Sequence, residues 1–128
     1  MLILLSPAKT LDMTPVDRQA TQPRLLNDTE QLAKVLRKKS RADIQDLMHV
    51  SENLADLNHE RFQAFSLPFT QENAKPAGLA FRGDVYQDLE AHTFSDAEFD
   101  FANQQIRILS GLYGVLRPSD LMQAYRLE

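Results

Sequence analysis

Met1-Leu2-Ile3-Leu4-Leu5 is a continuous apolar run halted by Ser6-Pro7, and Ile106-Arg107-Ile108-Leu109-Ser110 is a second such stretch ended by Gly111. A strand apolar on both faces is what a buried parallel sheet uses. The two stretches predict short buried strands at residues 1–6 and 106–110, the first of them central. Between them the pattern turns to helical spacing, so the chain reads as an α/β protein with a mixed fold.

Asn27 or Asp28 can cap a helix with Leu32, Val35 and Leu36 on one face, ending near Lys39. Ser40, three residues before Asp43, gives a pattern akin to a capping box, and Ile44, Leu47 and Met48 supply the apolar stripe of a second helix. Ser51 can cap a third, in which Leu54, Leu57, Arg61, Phe62 and Phe65 recur until Leu67-Pro68. Only His49 to Ser51 separate the two, so residues 41–65 read as an α-hairpin with a tight turn. Residues 12–26, with Pro15 and Pro23, read as a loop over the surface. Further on, Gly78 to Phe81 predicts a short strand, Val85 to Ala91 a helical turn, and Ser95-x-x-Glu98 a capping box opening a helix to Gln105.

With 128 residues the chain has room for one domain. Its 43% hydrophobic and 25% charged content matches globular proteins, which excludes a disordered tail and a membrane protein. The first apolar run is far too short for a span and has no basic residue before it, so it is not a secretory signal, and the expected location is cytoplasmic. No cysteine is present, which removes disulfides, thiolate nucleophiles, iron–sulfur clusters and cysteine zinc sites. The net charge of −4 is uneven: residues 1–41 sum to +4, residues 42–100 to −9 and residues 101–128 to +1. Any polyanion must therefore meet a local basic surface.

Both strong strands end in serine followed by an unusual loop. If they run parallel in one sheet, Ser6, Lys9, Thr10, Ser110 and Tyr113 emerge at the same edge, where open α/β sheets bind ligands. Lysine there can hold a phosphate or, if desolvated, act as a base. The plainer reading has the serines satisfying backbone groups and Lys9 in solvent. Phosphate-cradle glycine motifs are absent, and His49, His59 and His92 have no nucleophile elbow nearby. His59-Glu60 lacks a second histidine, and Asp96, Glu98 and Asp100 suit the first turn of a helix, so no metal site is expected.

The stretch Val50-Ser51-Glu52-Asn53-Leu54-Ala55 matches the apolar-Gly-x-x-x-Ala pattern of a helix-hairpin-helix DNA-binding module, with serine in place of glycine. Such hairpin amides bind phosphate through helix N-terminal geometry. Lys34, Arg37, Lys38, Lys39 and Arg41 lie just upstream. Together with Ser51 and Asn53 they are the candidate DNA contacts, while Glu52 opposes that role. An ordinary α-hairpin with a solvated basic patch fits the same residues.

Three ordered blocks carry a family resemblance. Ser6-Pro7-Ala8-Lys9-Thr10-Leu11-Asp12 after an apolar strand, Phe81-Arg82-Gly83-Asp84-Val85-Tyr86, and Leu109 to Pro118 followed by Asp120-Leu121-Met122 and Tyr125 to Glu128 resemble the YaaA family of bacterial peroxide-stress proteins. Ser119 and Ala124 depart from its pattern, standing where an apolar residue and a proline are expected. The resemblance implies a cytosolic protein of the hydrogen peroxide response that limits oxidative damage, is associated with lower free iron, and binds DNA through a basic cleft and a helix-hairpin-helix. It implies no established enzyme activity and no cofactor.

The motif positions carried over are Ser6, Lys9, Thr10, Gly83, Asp84, Tyr86, Ser110, Tyr113, Arg117, Tyr125 and Arg126. From them Lys9 is expected near Arg117 or Arg126, with Asp84 or Tyr86, in a mixed-charge pocket. The leading expectation is binding of duplex or branched DNA, with no membrane partner. The alternative is an enzyme acting on a nucleobase or phosphate compound at the strand carboxyl ends. Family members run to about twice this length, so residues 1–128 are expected to be a single domain or the N-terminal half of a larger one, with self-association covering exposed edges.

Overall fold

The computed structural model describes residues 1–127. In chain order the elements are β1 (Ile3–Leu5), β2 (Thr10–Leu11), α1 (Leu26–Arg37), α2 (Arg41–Met48), α3 (Glu52–Ala64), β3 (Lys75–Pro76), α4 (Ala77–Ala80), β4 (Phe81–Arg82), α5 (Asp84–Leu89), α6 (Asp96–Gln105), β5 (Ile106–Ser110), β6 (Gly114–Leu116) and β7 (Leu121–Met122), with a 3-10 turn at Ala91–Thr93. Six helices and several short strands in small sheets make a mixed α/β fold.

β1 and β5 pair in parallel, Ile3 opposite Ile106 and Leu5 opposite Ile108, and β6 pairs antiparallel on the other side of β5. The sheet order is thus β1-β5-β6. This corrects the reading of the first run as a buried central strand: β1 covers only residues 3–5 and lies at the edge, with Ile3 43% and Leu4 60% exposed. Apolar character on both faces does not say how many neighbours a strand has. β5 is the central strand, and it alternates: Ile106, Ile108 and Ser110 are buried while Leu109 faces out.

The local signals in the helices hold. Ser40 and Asp43 close a capping box on α2, Ser51 accepts from Leu54 N–H at the start of α3, and Ser95 and Glu98 close a capping box on α6. The turn between α2 and α3 is tight because His49 takes a left-handed conformation (φ 53°), the usual way to stop a helix in one residue. At α1 the expectation fails. The helix begins at Leu26 with no side-chain cap, and Thr29, Ala33 and Leu36 form its buried face while Leu32 and Val35 are exposed. Leu47 and Leu57 likewise face out, leaving Ile44 and Met48 on α2 and Ala55, Asn58 and Phe62 on α3 to pack inward. Thr29 and Ala33 on α1 and Ala55 and Asn58 on α3 thus share the buried faces with the larger Leu36, Ile44, Met48 and Phe62.

The segment expected to be a strand at Gly78–Phe81 is instead the short helix α4 followed by β4. Its amides are taken by the neighbouring loop: Ala77 N–H bonds the Asp120 carbonyl at 2.8 Å and Gly78 N–H the Pro118 carbonyl at 2.9 Å. Residues 12–25 run over the surface and are tied down. Arg18 donates to the Phe94 carbonyl at 2.6 Å and lies 4.4 Å over the Phe99 ring, and Thr21 bridges to Asp120. Edge-to-face rings join the end of α3 to the sheet, Phe65 to Phe69 to Tyr113 to Tyr125, with centroids 5.7, 6.0 and 5.4 Å apart. Among the described residues no helix is long and apolar enough to cross a membrane.

Candidate functional site

Parallel pairing of β1 with β5 puts the loops after Ser6 and Ser110 at the same end of the sheet. The motif residues there hold one another. Tyr86 donates its hydroxyl to the Ser6 carbonyl at 2.5 Å, and burial first, then the neighbouring Tyr125, pushes its pKa up to about 12. It is therefore a neutral phenol at physiological pH. The Ser110 and Tyr125 hydroxyls lie 2.6 Å apart, and Ser110 also accepts from Tyr113 N–H at 3.0 Å. The Tyr113 hydroxyl bonds Gln123 in both directions, and burial raises its pKa well above the ordinary tyrosine value.

Lys9 and Arg126 line one crevice with Pro7 and Tyr125, but its volume is about 10 Å³, room for a single water. Thr10 pairs with Arg82 across β2 and β4. Asp84 is exposed in the first turn of α5. The preceding Gly83 has φ 142°, a conformation that favours glycine, and packs its α-carbon side against Ala8. Arg117 does not join the group. Its guanidinium pairs with Asp120 at 2.8 Å and reaches the Gln22 carbonyl at 3.0 Å.

A cleft of about 430 Å³ lies beside this cluster and is walled by Asp12, Lys75, Arg82, Tyr86, Gln87 and His92 among others. Lys75 stands on β3, which pairs with β7, and is only 4% exposed. Its Nζ is 3.7 Å from Asp12 Oδ1. Burial lowers its pKa, with Asp12 opposing and Arg82 adding to the shift. Asp12 is held well below the usual carboxylate range, first by hydrogen bonding from Thr14 and then by Arg82, which bonds its other oxygen. Sequence reasoning passed over Lys75 and gave Asp12 and Arg82 no role. The only signal was that Asp12 and Arg82 each fall inside a motif block; nothing marked Lys75.

The basic residues of the helical segment lie together on exposed positions at the corner between α1 and α2. Lys34 pairs with Glu30 at 3.5 Å and Arg41 with Asp56 at 3.3 Å. Arg37 donates to the Phe62 carbonyl at 3.1 Å and covers the Phe65 ring. Lys38 makes no ion pair among the described residues. Ser51 and Asn53 are exposed at the start of α3. Among the described residues no group of three or more His, Asp or Glu is placed to hold a metal ion.

A mixed α/β protein whose motif residues gather at the ends of two parallel strands, beside a charged cleft and a separate basic helical corner, defines the class. Compared with known protein families, residues 1–128 match the family described as peroxide stress protein YaaA, over the whole chain. The chain belongs to that family and is a protein of the peroxide stress response.

Proposed function

We propose that the chain binds duplex or branched DNA in the cytoplasm and so helps limit peroxide- and iron-dependent damage. The observation that carries this reading is the exposed corner between α1 and α2. Lys34, Arg37, Lys38, Lys39 and Arg41 stand there in eight residues of a chain that is acidic overall. Such a patch meets phosphates without reading bases. It adjoins α2 and α3, whose first turns carry N–H groups with no partner inside the helix beyond those that Ser40 and Ser51 take. The family's place in the peroxide response gives a DNA-protecting role its context.

Binding of fluorescent duplex and four-way junction DNA measured against salt tests this. Each phosphate contact lowers log K by about 0.9 per unit of log salt. Replacing both Lys38 and Lys39 by glutamate should weaken binding to all sequences alike and flatten the slope by about two contacts. Negligible binding at low salt sinks the proposal, and unchanged affinity in the double variant removes the corner from it.

A further inference from the structure

We propose that the cleft beside Lys75 binds a small organic monoanion, with the carboxylate of that ligand received by Lys75 and Arg82 and its apolar body lying on Val16, Leu79 and Phe81. This goes beyond DNA binding and does not depend on it. The starting observation is a lysine buried to 4% exposure in the wall of a cleft of about 430 Å³, a volume in the range of small-ligand pockets. Lysines are almost never buried unless paired. The ammonium has three N–H donors, yet its ion-pair partner is a single Asp12 oxygen, at the long distance of 3.7 Å. That oxygen also accepts from Thr14 N–H. The Lys75 ammonium therefore keeps donors beyond the one that Asp12 can take.

Charge fixes the ligand class. Lys75 and Arg82 bring two positive charges and Asp12 one negative, which leaves one positive charge to neutralise. Glu90 lines the same cleft and, like the half-exposed Arg82, is screened by water, so the charge left short of a partner is the buried Lys75, which shares the Asp12 carboxylate with Arg82. A monoanion completes the balance, whereas a phosphate dianion overshoots it. Apolar walls beside the charged group favour an organic body over a bare inorganic ion. The 4% exposure of Lys75 favours a small molecule that enters the cleft over a duplex that lies across its mouth.

The test titrates the chain with benzoate, with benzamide (the same body without the charge), with acetate (the charge without the body), and with inorganic phosphate, by calorimetry and by amide shifts of Gln87 and Ala91. Benzoate should saturate and bind at least about tenfold more tightly than any of the other three, the scale of a charge-assisted hydrogen bond. Lys75→Met should weaken benzoate at least tenfold, and Arg82→Gln severalfold. Arg82 is half exposed, so its variant carries the test if Lys75→Met does not fold. Benzamide or phosphate binding as tightly as benzoate, no saturation, or unchanged affinity in Arg82→Gln would overturn the proposal. So would a DNA duplex that displaces benzoate from the cleft, since the anion received there would then be a backbone phosphate.

Discussion

Arg117 and Asp120 are locked together across one tight turn: the guanidinium meets Asp120 Oδ1 at 2.8 and 3.1 Å, and Arg117 N–H donates to Oδ2 at 2.7 Å. Asp120 is completely buried and also accepts from the Thr21 hydroxyl at 2.6 Å, pinning the N-terminal loop to the end of the chain. An arginine read from its motif as a pocket residue thus serves to neutralise a buried carboxylate. Removing one partner of a buried pair costs about 3–5 kcal/mol. The Arg117 side chain is one fifth exposed and regains some water, so Asp120→Ala should cost about 3 kcal/mol in urea unfolding. A loss below 1 kcal/mol would mean that the pair contributes little.

The cap of α3 gives a graded test. Ser51 Oγ accepts from Leu54 N–H at 3.2 Å, so Ser51→Ala should cost about 1 kcal/mol and Ser51→Gly only a few tenths. Equal losses for the two would show that the hydroxyl is not the stabilising group.

Gly114 has φ 76°, and a methyl built there would stand 2.7 Å from Leu25 Cδ1. Gly114→Ala combines backbone strain with displacement of that leucine, for a loss of about 1–3 kcal/mol by thermal or chemical unfolding. A neutral result would show that the turn between β5 and β6 relaxes freely.

Stability should fall on acidification. Asp12, Asp43 and Glu98 all have folded pKa values below their ordinary ones, held there by bonds from Thr14, Ser40 and Ser95 respectively. The unfolded chain takes up protons at a higher pH than the folded one, so acid favours unfolding. These contributions are complete above the unfolded values near pH 4 and vanish as pH drops through the folded ones. Urea midpoints at pH 6 and pH 3 should differ, and by less in Asp12→Asn; an equal drop in that variant would take Asp12 out of the acid response.

Because β1 is an edge, Leu4→Lys should change folding stability by less than about 0.5 kcal/mol. Loss of more than 2 kcal/mol would show that the outer face of β1 is covered in solution.

The amino-acid sequence by itself determined the capping boxes at Ser40 and Ser95, the cap at Ser51, the tight turn after α2 and the strand at Ile106–Ser110. Each depends on groups three or four residues apart, or on one short apolar run, so local order suffices. The parallel reading of the two strands also put Ser6 and Ser110 at one end of the sheet, though it did not say that Tyr86 would bond the one and Tyr125 the other. Only the tertiary structure decided that β1 is an edge, that Ala33 and Thr29 rather than Leu32 and Val35 face the core, and that Arg117 serves Asp120. It also brought Lys75 to Asp12 and Arg82. Such relationships join residues far apart in the chain, where burial and partner are set by which elements pack together, and no spacing within a single segment encodes that choice.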